Sequence, residues 1–193
     1  MRRRAVFLDR DGTLNRERGP VCSPAELEVL PGARDAVARL DSAGWPVVVV
    51  TNQSGVARGL YDEATVARVH AALHDALDRR PRGYFHCPHL PEGRASTGYA
   101  CDCPCRKPKD GLLRQAAATL DLELAGSFLV GDSARDLLPG KAHGMRAILV
   151  RSGKPWEVEL AKLTAAGAIP EAVVDDLAAA ADLVLRGGGP GTR

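Results

Sequence analysis

The sequence predicts an α/β fold, a doubly wound parallel sheet with helices on both faces. Three observations support this prediction. Short, uniformly apolar runs recur along the chain, stretches with the apolar spacing of helices separate them, and polar or glycine residues follow each run. Uniformly apolar runs are typical of parallel strands that are buried on both faces, and regular alternation of strand and helix favours the doubly wound arrangement.

The apolar runs predict strands at residues 5–8, 47–50, 127–130 and 147–150. The stretches between and after them predict helices at residues 33–40, 62–77, 110–120, 134–143 and 175–185. Asp62 can cap the second helix and Gly144 can end the fourth, because both residue types favour helix boundaries.

The chain has 193 residues, of which 45% are hydrophobic, enough for one domain with a substantial core. We expect a single domain over residues 1–186 and a disordered tail over the glycine-rich residues 187–193. No insertion large enough for a cap domain follows Gly12 or the second strand, so the site should be open. The segment 87–109 lacks periodicity and is rich in proline, glycine and cysteine, which predicts a functional or internally cross-linked loop.

Charge and composition exclude several classes of function. A net charge of +2 and an aromatic content of 4% argue against nucleic-acid binding, which needs a basic surface and, for single strands, stacking side chains. The basic residues 2–4 resemble the start of a signal peptide, but the apolar run after them is too short for export. No apolar run approaches the ~20 residues of a membrane span, so we expect a cytoplasmic protein without a membrane partner.

Two aspartates, Asp9 and Asp11, directly follow the first predicted strand. Open parallel sheets bind ligands beyond the carboxyl ends of their strands, and two acids spaced i, i+2 leave a strand on the same side. A hard, oxygen-seeking cation such as Mg²⁺ would relieve their repulsion and leave room for phosphate oxygens. Gly12 lets the chain turn beside them, but Asp-Gly is also a common turn dipeptide, so the pair alone is equally consistent with a surface turn.

Polar residues at three further places strengthen this interpretation. Residues 51–54, Thr-Asn-Gln-Ser, end the second strand with hydroxyl, amide and main-chain donors that suit a phosphoryl group. Asp132, after the third strand, can complete a metal site, and Asp136 lies one helical turn further on. Arg106 and Lys107 precede a helix and can neutralise charge on phosphate. Each motif has an ordinary alternative: a polar turn, an aspartate N-cap or a solvated basic pair. The occurrence of all the motifs in this order nevertheless favours phosphoryl chemistry.

A cluster of cysteines and histidine lies in the irregular segment. It contains Cys87, His89, Cys101, Cys103 and Cys105. In a cytoplasmic chain, clustered cysteines favour a metal over disulfides. One imidazole and three thiolates make a closed tetrahedral zinc site, which would be structural, although spacing alone does not exclude Cys101 as a ligand.

Other cysteine and histidine residues lie outside this cluster. Cys22 stands alone, and we expect it to be a small, partly buried residue. His70 and His74 share one face of a predicted helix at i, i+4. Because no third ligand accompanies these two histidines, we expect both on the surface.

The order of the motifs resembles the haloacid dehalogenase (HAD) superfamily of phosphatases: Asp-x-Asp-Gly-Thr, then threonine, then lysine, then Gly-Asp-x-x-x-Asp. The resemblance runs from about residue 5 to residue 151. The segments 7–15 (FLDRDGTLN), 50–59 (VTNQSGVARG) and 105–108 (CRKP) are similar to the branch that contains the heptose bisphosphate phosphatases and the histidinol-phosphate phosphatases. These motifs are specific for the branch and less so for the substrate.

The resemblance implies a role for each motif residue. Asp9 would attack phosphorus and form an aspartyl-phosphate, and Asp11 would protonate the leaving oxygen and then activate water. The implied Mg²⁺ ligands are Asp9, the main-chain carbonyl of Asp11, and Asp132. The implied phosphoryl-binding residues are Thr51 and Lys107. The implied substrate-binding residues are Asn52, Gln53, Ser54 and Arg106.

The same branch carries the Cys-x-His…Cys-x-Cys pattern. This resemblance implies a structural zinc ion on Cys87, His89, Cys103 and Cys105. Because Cys105 directly precedes Arg106 and Lys107, the zinc loop should also hold these two cations over the site.

The chain departs from the heptose enzymes at residues 18–21, Arg-Gly-Pro-Val where they have a His-Gly-Tyr-Val-like segment, and at Ser133, where they often have lysine. We expect a monomeric phosphatase of a small phosphorylated metabolite, with a heptose bisphosphate as the first candidate substrate and histidinol phosphate as the alternative. A phosphatase of nucleic-acid 3′ ends and a non-catalytic, zinc-stapled binding module are less favoured, the latter because the set of acids, threonine and lysine is intact.

Overall fold

A computed structural model describes residues 2–191. Its parallel strands form one six-stranded sheet in the order β3-β2-β1-β4-β5-β6. The strands are β1 Arg3–Leu8, β2 Val47–Asn52, β3 Gly83–Cys87, β4 Leu122–Gly131, β5 Arg146–Val150 and β6 Ala172–Val174. The α-helices are α1 Ala33–Ser42, α2 Glu63–Ala76, α3 Gly111–Leu120, α4 Ala134–Lys141, α5 Trp156–Ala165 and α6 Leu177–Arg186. The predicted doubly wound α/β fold is confirmed.

Every predicted strand and helix is present, but the sequence did not predict β3, β6 and α5. The edge strand β3 carries a histidine, and most of its residues are only partly buried, so it lacks the uniformly apolar pattern. Strand β6 has only three residues. Helix α5 buries only Glu159 and Leu163, which leaves little apolar periodicity to detect.

The strands are apolar throughout because helices cover both faces of the sheet. Along β1, Val6 and Leu8 enter one core layer, which they share with α1, α2 and α6. The alternate residues, Ala5 and Phe7, enter the other layer, which they share with α3, α4 and α5. All four side chains are completely buried. Burial on both faces holds the end of β1, where the first aspartate of the site follows, in a fixed position.

The connections after β1 and β2 carry little regular structure. The first, residues 9–32, contains a 3₁₀ turn at Pro24–Glu26. The second, residues 53–62, contains neither helix nor strand. Neither forms a cap domain, in agreement with the prediction. The segment 88–110 is irregular apart from a 3₁₀ turn at Ala95–Thr97. Among residues 2–191, no helix has the length and apolar character required to cross a membrane.

The glycine-rich tail follows α6. Residues 187–191 form neither helix nor strand, and the carbonyl oxygen of Gly191 accepts a hydrogen bond from Nη2 of Arg4 at 2.9 Å. Disorder of this tail stays a prediction, and residues 192 and 193 lie outside the described range.

Candidate active site

The carboxyl ends of three neighbouring strands bring the predicted acids and threonine together. Asp9 follows β1, Thr51 lies near the end of β2, and Asp132 follows β4. All three side chains are buried. Asp9 and Thr51 line a cavity of about 300 Å³, which lies at the edge where ligands bind in open parallel sheets.

Lys107 is the central cation of this site. Its ammonium donates to Oδ1 of Asp9 at 2.7 Å and to the carbonyl oxygen of Val50 at 2.8 Å, and it pairs with Oδ1 of Asp136 at 2.8 Å. Burial opposes the charged form, but the carboxylates of Asp136 and Asp9 outweigh burial and raise the pKa of Lys107. Lys107 is therefore a fixed positive charge in contact with Asp9.

Burial and mutual repulsion give the acids unequal pKa values. Burial and the neighbouring carboxylate of Asp136 raise the pKa of Asp9 to about 7, although Lys107 opposes this shift. Burial and the carboxylate of Asp9 raise the pKa of Asp132 to about 8. At Asp136, burial is outweighed by Lys107, and the pKa is lowered. A bound cation would stabilise the ionised forms of Asp9 and Asp132.

The acid cluster fits a hard divalent cation. Asp9, Asp132 and Asp136 each place one carboxylate oxygen within 4.8 Å of the others. Two glycines make room for the carboxylate of Asp132, because a Cβ added to Gly12 or Gly153 would overlap its Oδ2. Donor sets made only of oxygen suit Mg²⁺ and disfavour softer metals. Asp136, which the sequence left without a role, belongs to this cluster and pairs with the lysine.

The carboxylate of Asp11 is held by donors outside the acid cluster. Nη2 of Arg10 contacts its two oxygens at 2.9 and 3.0 Å, Nδ2 of Asn15 donates to Oδ1 at 2.9 Å, and Nε2 of Gln53 donates to Oδ2 at 2.9 Å. Burial would raise the pKa of Asp11, but Arg10 and Asn15 outweigh burial and lower it. The expected metal contact of Asp11 is through its main-chain carbonyl, so its side chain stays available for proton transfer.

Three of the four residues expected to bind substrate line the cavity: Asn52, Gln53 and Ser54. Asn52 and Arg106 make contacts within the protein: the amide of Asn52 pairs with the main chain of Lys107, and Nη1 of Arg106 donates to the carbonyl oxygen of His89 at 3.0 Å. These contacts hold the segment that carries Lys107, and direct substrate contacts of Asn52 and Arg106 stay predictions.

The four residues expected to bind zinc lie together, although the two pairs are 14 to 18 positions apart in the sequence. One ligand atom from each of Cys87, His89, Cys103 and Cys105 lies within 4.8 Å of the others. Nδ1 of His89 is 3.7 Å from Sγ of Cys87 and 3.9 Å from Sγ of Cys105, close to the ~3.5 Å edges of a tetrahedral zinc shell. Sγ of Cys103 and Sγ of Cys105 are 2.8 Å apart and would separate on binding. Cys101 is exposed and lies outside this group.

Sequence reasoning missed several polar residues that line the cavity. They are Arg10, Glu17, Arg58, Tyr61, Arg135 and Lys154. The position of Arg10 between two acids was a usable signal, because a buried residue there must neutralise one of them. Lys154 follows β5 in a turn, and nothing in the sequence relates that turn to β1.

Two expectations about isolated residues were wrong. Cys22 is exposed rather than partly buried. His70 is buried, with 7% of its surface exposed, and its ring stacks on Tyr84 with the centroids 5.0 Å apart. Tyr84 lies on β3, and because that strand was not predicted, neither was the aromatic cover over His70.

Comparisons with known proteins agree with this geometry. A family model described as HAD-hydrolase-like matches residues 104–180. The D-glycero-beta-D-manno-heptose-1,7-bisphosphate 7-phosphatase of Bordetella bronchiseptica is 41% identical over 187 residues, which cover 94% of this chain and 97% of that protein. The protein of the same name from Pseudomonas aeruginosa is 36% identical over 190 residues, covering 96% of this chain and 100% of that protein.

Solved structures show the same similarity. The crystal structure of D,D-heptose 1,7-bisphosphate phosphatase from B. bronchiseptica, complexed with magnesium and phosphate, matches with a TM-score of 0.81 at 40% identity, covering 96% of this chain and 99% of that one. The enzyme of that name from Burkholderia thailandensis matches with a TM-score of 0.64 at 35% identity, covering 94% and 98%.

Proposed function

The chain belongs to the D-glycero-beta-D-manno-heptose-1,7-bisphosphate 7-phosphatases, a family of HAD-like hydrolases, and from that premise we propose that it removes the 7-phosphate of a heptose 1,7-bisphosphate through an aspartyl-phosphate on Asp9. Similarity over nearly the whole length to phosphatases of that name carries the choice of substrate. The contact between Asp9 and Lys107 supports the choice of chemistry.

The geometry favours one oxygen of Asp9 as the nucleophile. Oδ1 accepts the hydrogen bond from Lys107, which leaves Oδ2 to attack phosphorus. Attack forms the bond between Oδ2 and phosphorus as the bond from phosphorus to the sugar oxygen breaks. Splitting hydrolysis into formation and hydrolysis of this acyl phosphate replaces one difficult step by two easier ones.

Asp9, Asp132 and the main-chain carbonyl of Asp11 are the proposed Mg²⁺ ligands. When bound, the ion supplies positive charge that keeps the buried acids ionised and neutralises the phosphoryl oxygens. Lys107 adds a second charge on the same side. Thr51 supplies a hydroxyl beside the acceptor site, and Ser54 lies on the cavity wall.

Asp11 is the proposed acid and base. It gives a proton to the departing sugar oxygen, and as a carboxylate it then takes a proton from the water that attacks the aspartyl-phosphate. Arg10, Asn15 and Gln53 hold its carboxylate in place through both steps. The Arg10 guanidinium favours the ionised form, which makes the protonated form a strong proton donor.

Zinc on Cys87, His89, Cys103 and Cys105 has a proposed structural role. All four ligands come from the protein, so the shell is closed and has no position for substrate. When bound, zinc cross-links the start of the irregular segment, at Cys87 and His89, to its later part, at Cys103 and Cys105. This cross-link ends one residue before Arg106 and two before Lys107.

Cations on the cavity wall support a substrate with more than one phosphate. Arg58 and Arg135 line the cavity, and within residues 2–191 neither pairs with a carboxylate. Lys154 also lines it, but its ammonium is 3.5 Å from Glu17. Two arginines without protein partners beside a phosphoryl site suit a second anionic group, because guanidinium groups bind phosphate through paired hydrogen bonds.

Parallel assays on three substrates test this proposal. We expect kcat/KM for heptose 1,7-bisphosphate to exceed the values for histidinol phosphate and for a 3′-phosphorylated oligonucleotide by at least about 100-fold, the discrimination that two lost charge-assisted contacts would produce. Equal or higher kcat/KM on histidinol phosphate would overturn the proposed substrate but leave the phosphatase mechanism intact. Product analysis must also show loss of phosphate from carbon 7 rather than carbon 1.

A further inference from the structure

The hydroxyl of Tyr61 is connected to two reacting groups through a single side chain. Its O–H donates to Oε1 of Gln53 at 2.9 Å. Nε2 of Gln53 in turn donates to Oδ2 of Asp11 and to Oγ1 of Thr51, both at 2.9 Å. The amide of Gln53 therefore uses its oxygen and both of its hydrogens, and these three bonds determine its orientation.

We propose that Tyr61 is a positioning residue for phosphoryl transfer: by holding the amide of Gln53, it keeps the hydroxyl of Thr51 directed at the phosphoryl group. The proposal rests on the proposed function only in that the cavity binds a phosphoryl group. It does not depend on which phosphorylated sugar enters.

The direction of the hydrogen bond between Gln53 and Thr51 determines what the hydroxyl of Thr51 can do. A threonine hydroxyl has one hydrogen and two lone pairs. Because Nε2 of Gln53 donates to Oγ1 of Thr51, that oxygen acts as an acceptor inside the protein. Thr51 is 1% exposed, and among residues 2–191 its hydroxyl hydrogen has no acceptor. The hydrogen is therefore available to an oxygen of the phosphoryl group in the cavity.

The orientation of the Gln53 amide explains why Tyr61 is needed. If the amide turned by 180°, its oxygen rather than its nitrogen would face the carboxylate of Asp11 and the hydroxyl of Thr51. The hydrogen bond that the O–H of Tyr61 donates to Oε1 opposes this turn from the other side of the amide.

The position of Tyr61 is itself closely restricted. A Cβ added to Gly55 would overlap the ring and the hydroxyl of Tyr61, so the ring lies directly against the main chain at that glycine. Burial raises the pKa of Tyr61, which keeps its hydroxyl protonated and able to donate. Phenylalanine at position 61 would keep this packing and remove only the donor.

Steady-state kinetics of Tyr61→Phe test the proposal, with Mg²⁺ and 4-nitrophenyl phosphate as the first substrate. We expect kcat to fall about three- to ten-fold, the factor that corresponds to one neutral hydrogen bond, while KM changes less than about two-fold. Gly55→Ala, which displaces the ring, should lower kcat at least as much. Tyr84→Phe is the matched control, because the hydroxyl of Tyr84 is buried away from the cavity and has no hydrogen-bond partner among residues 2–191.

A double-mutant cycle separates this role from a structural one. In a Gln53→Met background, Tyr61→Phe should change kcat by less than about two-fold, because the group through which Tyr61 acts is gone. An unchanged kcat in Tyr61→Phe alone overturns the proposal. So does the full loss in the Gln53→Met background, or an increase in KM with no change in kcat, which would mean that Tyr61 contacts substrate. Assays of the same variants on heptose 1,7-bisphosphate test only the proposed substrate. If the protein does not hydrolyse that compound, the kinetics with 4-nitrophenyl phosphate still decide the role of Tyr61.

Discussion

The side-chain amide of Asn52 pairs with both main-chain groups of Lys107: Oδ1 accepts from the N–H, and Nδ2 donates to the carbonyl oxygen, each at 3.1 Å. Asn52 ends β2, whereas Lys107 lies 55 positions further on, in the irregular segment. The pair therefore attaches a long loop to the rigid sheet by its main chain. The ammonium of Lys107 is left free to contact Asp9.

Removal of this attachment should reduce catalysis through Lys107. We expect Asn52→Ala to lower kcat/KM about 10- to 100-fold, because a displacement of about 1 Å of a catalytic cation is enough for a loss of this size. Asn52→Asp keeps the acceptor for the N–H of Lys107 and should lose less. In a Lys107→Ala background, Asn52→Ala should cause little further loss, and a full additional loss there would show that Asn52 acts independently of Lys107.

Replacement of the proposed nucleophile should separate activity from stability. Asp9→Asn should abolish turnover, because an amide neither attacks phosphorus nor carries charge for the metal. Asp11→Asn should lose at least the ~10²–10⁴-fold that acid–base catalysis contributes. Stopped assays for phosphate release give both values. Turnover of Asp9→Asn near that of the natural chain would rule out the covalent mechanism.

The same substitution makes a prediction about stability. The folded-state pKa of Asp9, about 7, lies above its ordinary value of 3.8, so the metal-free fold loses stability as the pH rises from 3.8 to about 7, and the loss is complete above that pH. Asp9→Asn removes that cost. In EDTA at pH 8 we expect the Tm of Asp9→Asn to equal or exceed that of the natural chain, measured by thermal melts. A lower Tm would show that the Asp9–Lys107 pair contributes more than the burial of its charge costs.

The sequence predicted the features that depend on a regular local pattern of apolar residues and on the spacing of motifs. The four buried strands were visible because both of their faces are covered, and the acids at their ends followed from the direction of parallel strands. The sequence placed Asn52 in the site but did not predict its contact with Lys107, because that contact depends on how an irregular loop folds back against the sheet. The buried state of His70 was missed for a different reason: it depends on Tyr84, which lies on a strand without a clear pattern.

Arg135 should distinguish a bisphosphate from a monophosphate. Burial lowers the pKa of Arg106, and the positive charges of Arg135 and Arg58, which line the cavity, act in the same direction. We expect Arg135→Gln to lower kcat/KM for heptose 1,7-bisphosphate about ten-fold, the value of one charge-assisted contact, and to leave hydrolysis of 4-nitrophenyl phosphate within about two-fold. Arg34→Gln, an exposed arginine paired with Asp78, is the control. An equal loss on both substrates would contradict a role in recognising the second phosphate.

His70 should make the fold sensitive to acid. Burial, with smaller contributions from Arg10 and His86, lowers its pKa from 6.5 to about 3. Because the folded-state pKa is lower, the unfolded chain binds the extra proton, and stability present above pH 6.5 is lost as the pH falls toward 3. The free energy of unfolding from urea titrations at pH 7.5, 6 and 5 should fall by up to about 1.4 kcal/mol per pH unit from this residue. His70→Phe should weaken that dependence and His74→Phe should not; an unchanged slope in His70→Phe would exclude His70 as its source.

Loss of one proposed zinc ligand should reach the active site, although that residue performs no chemistry. Cys105, Arg106 and Lys107 are consecutive, so a metal bond to the first restrains the next two. In Cys105→Ser the shell is incomplete, and each residue released regains about 1–2 kcal/mol of conformational entropy. We expect lower zinc content, a lower Tm and a fall in kcat/KM of up to about 100-fold as Lys107 moves from the phosphoryl group. Elemental analysis, thermal melts and kinetics should show no such change for Cys22→Ser or Cys101→Ser, whose thiols lie outside the cluster. If Cys105→Ser loses zinc but keeps the kinetics of the natural chain, the contacts of Asn52 alone are sufficient to position Lys107.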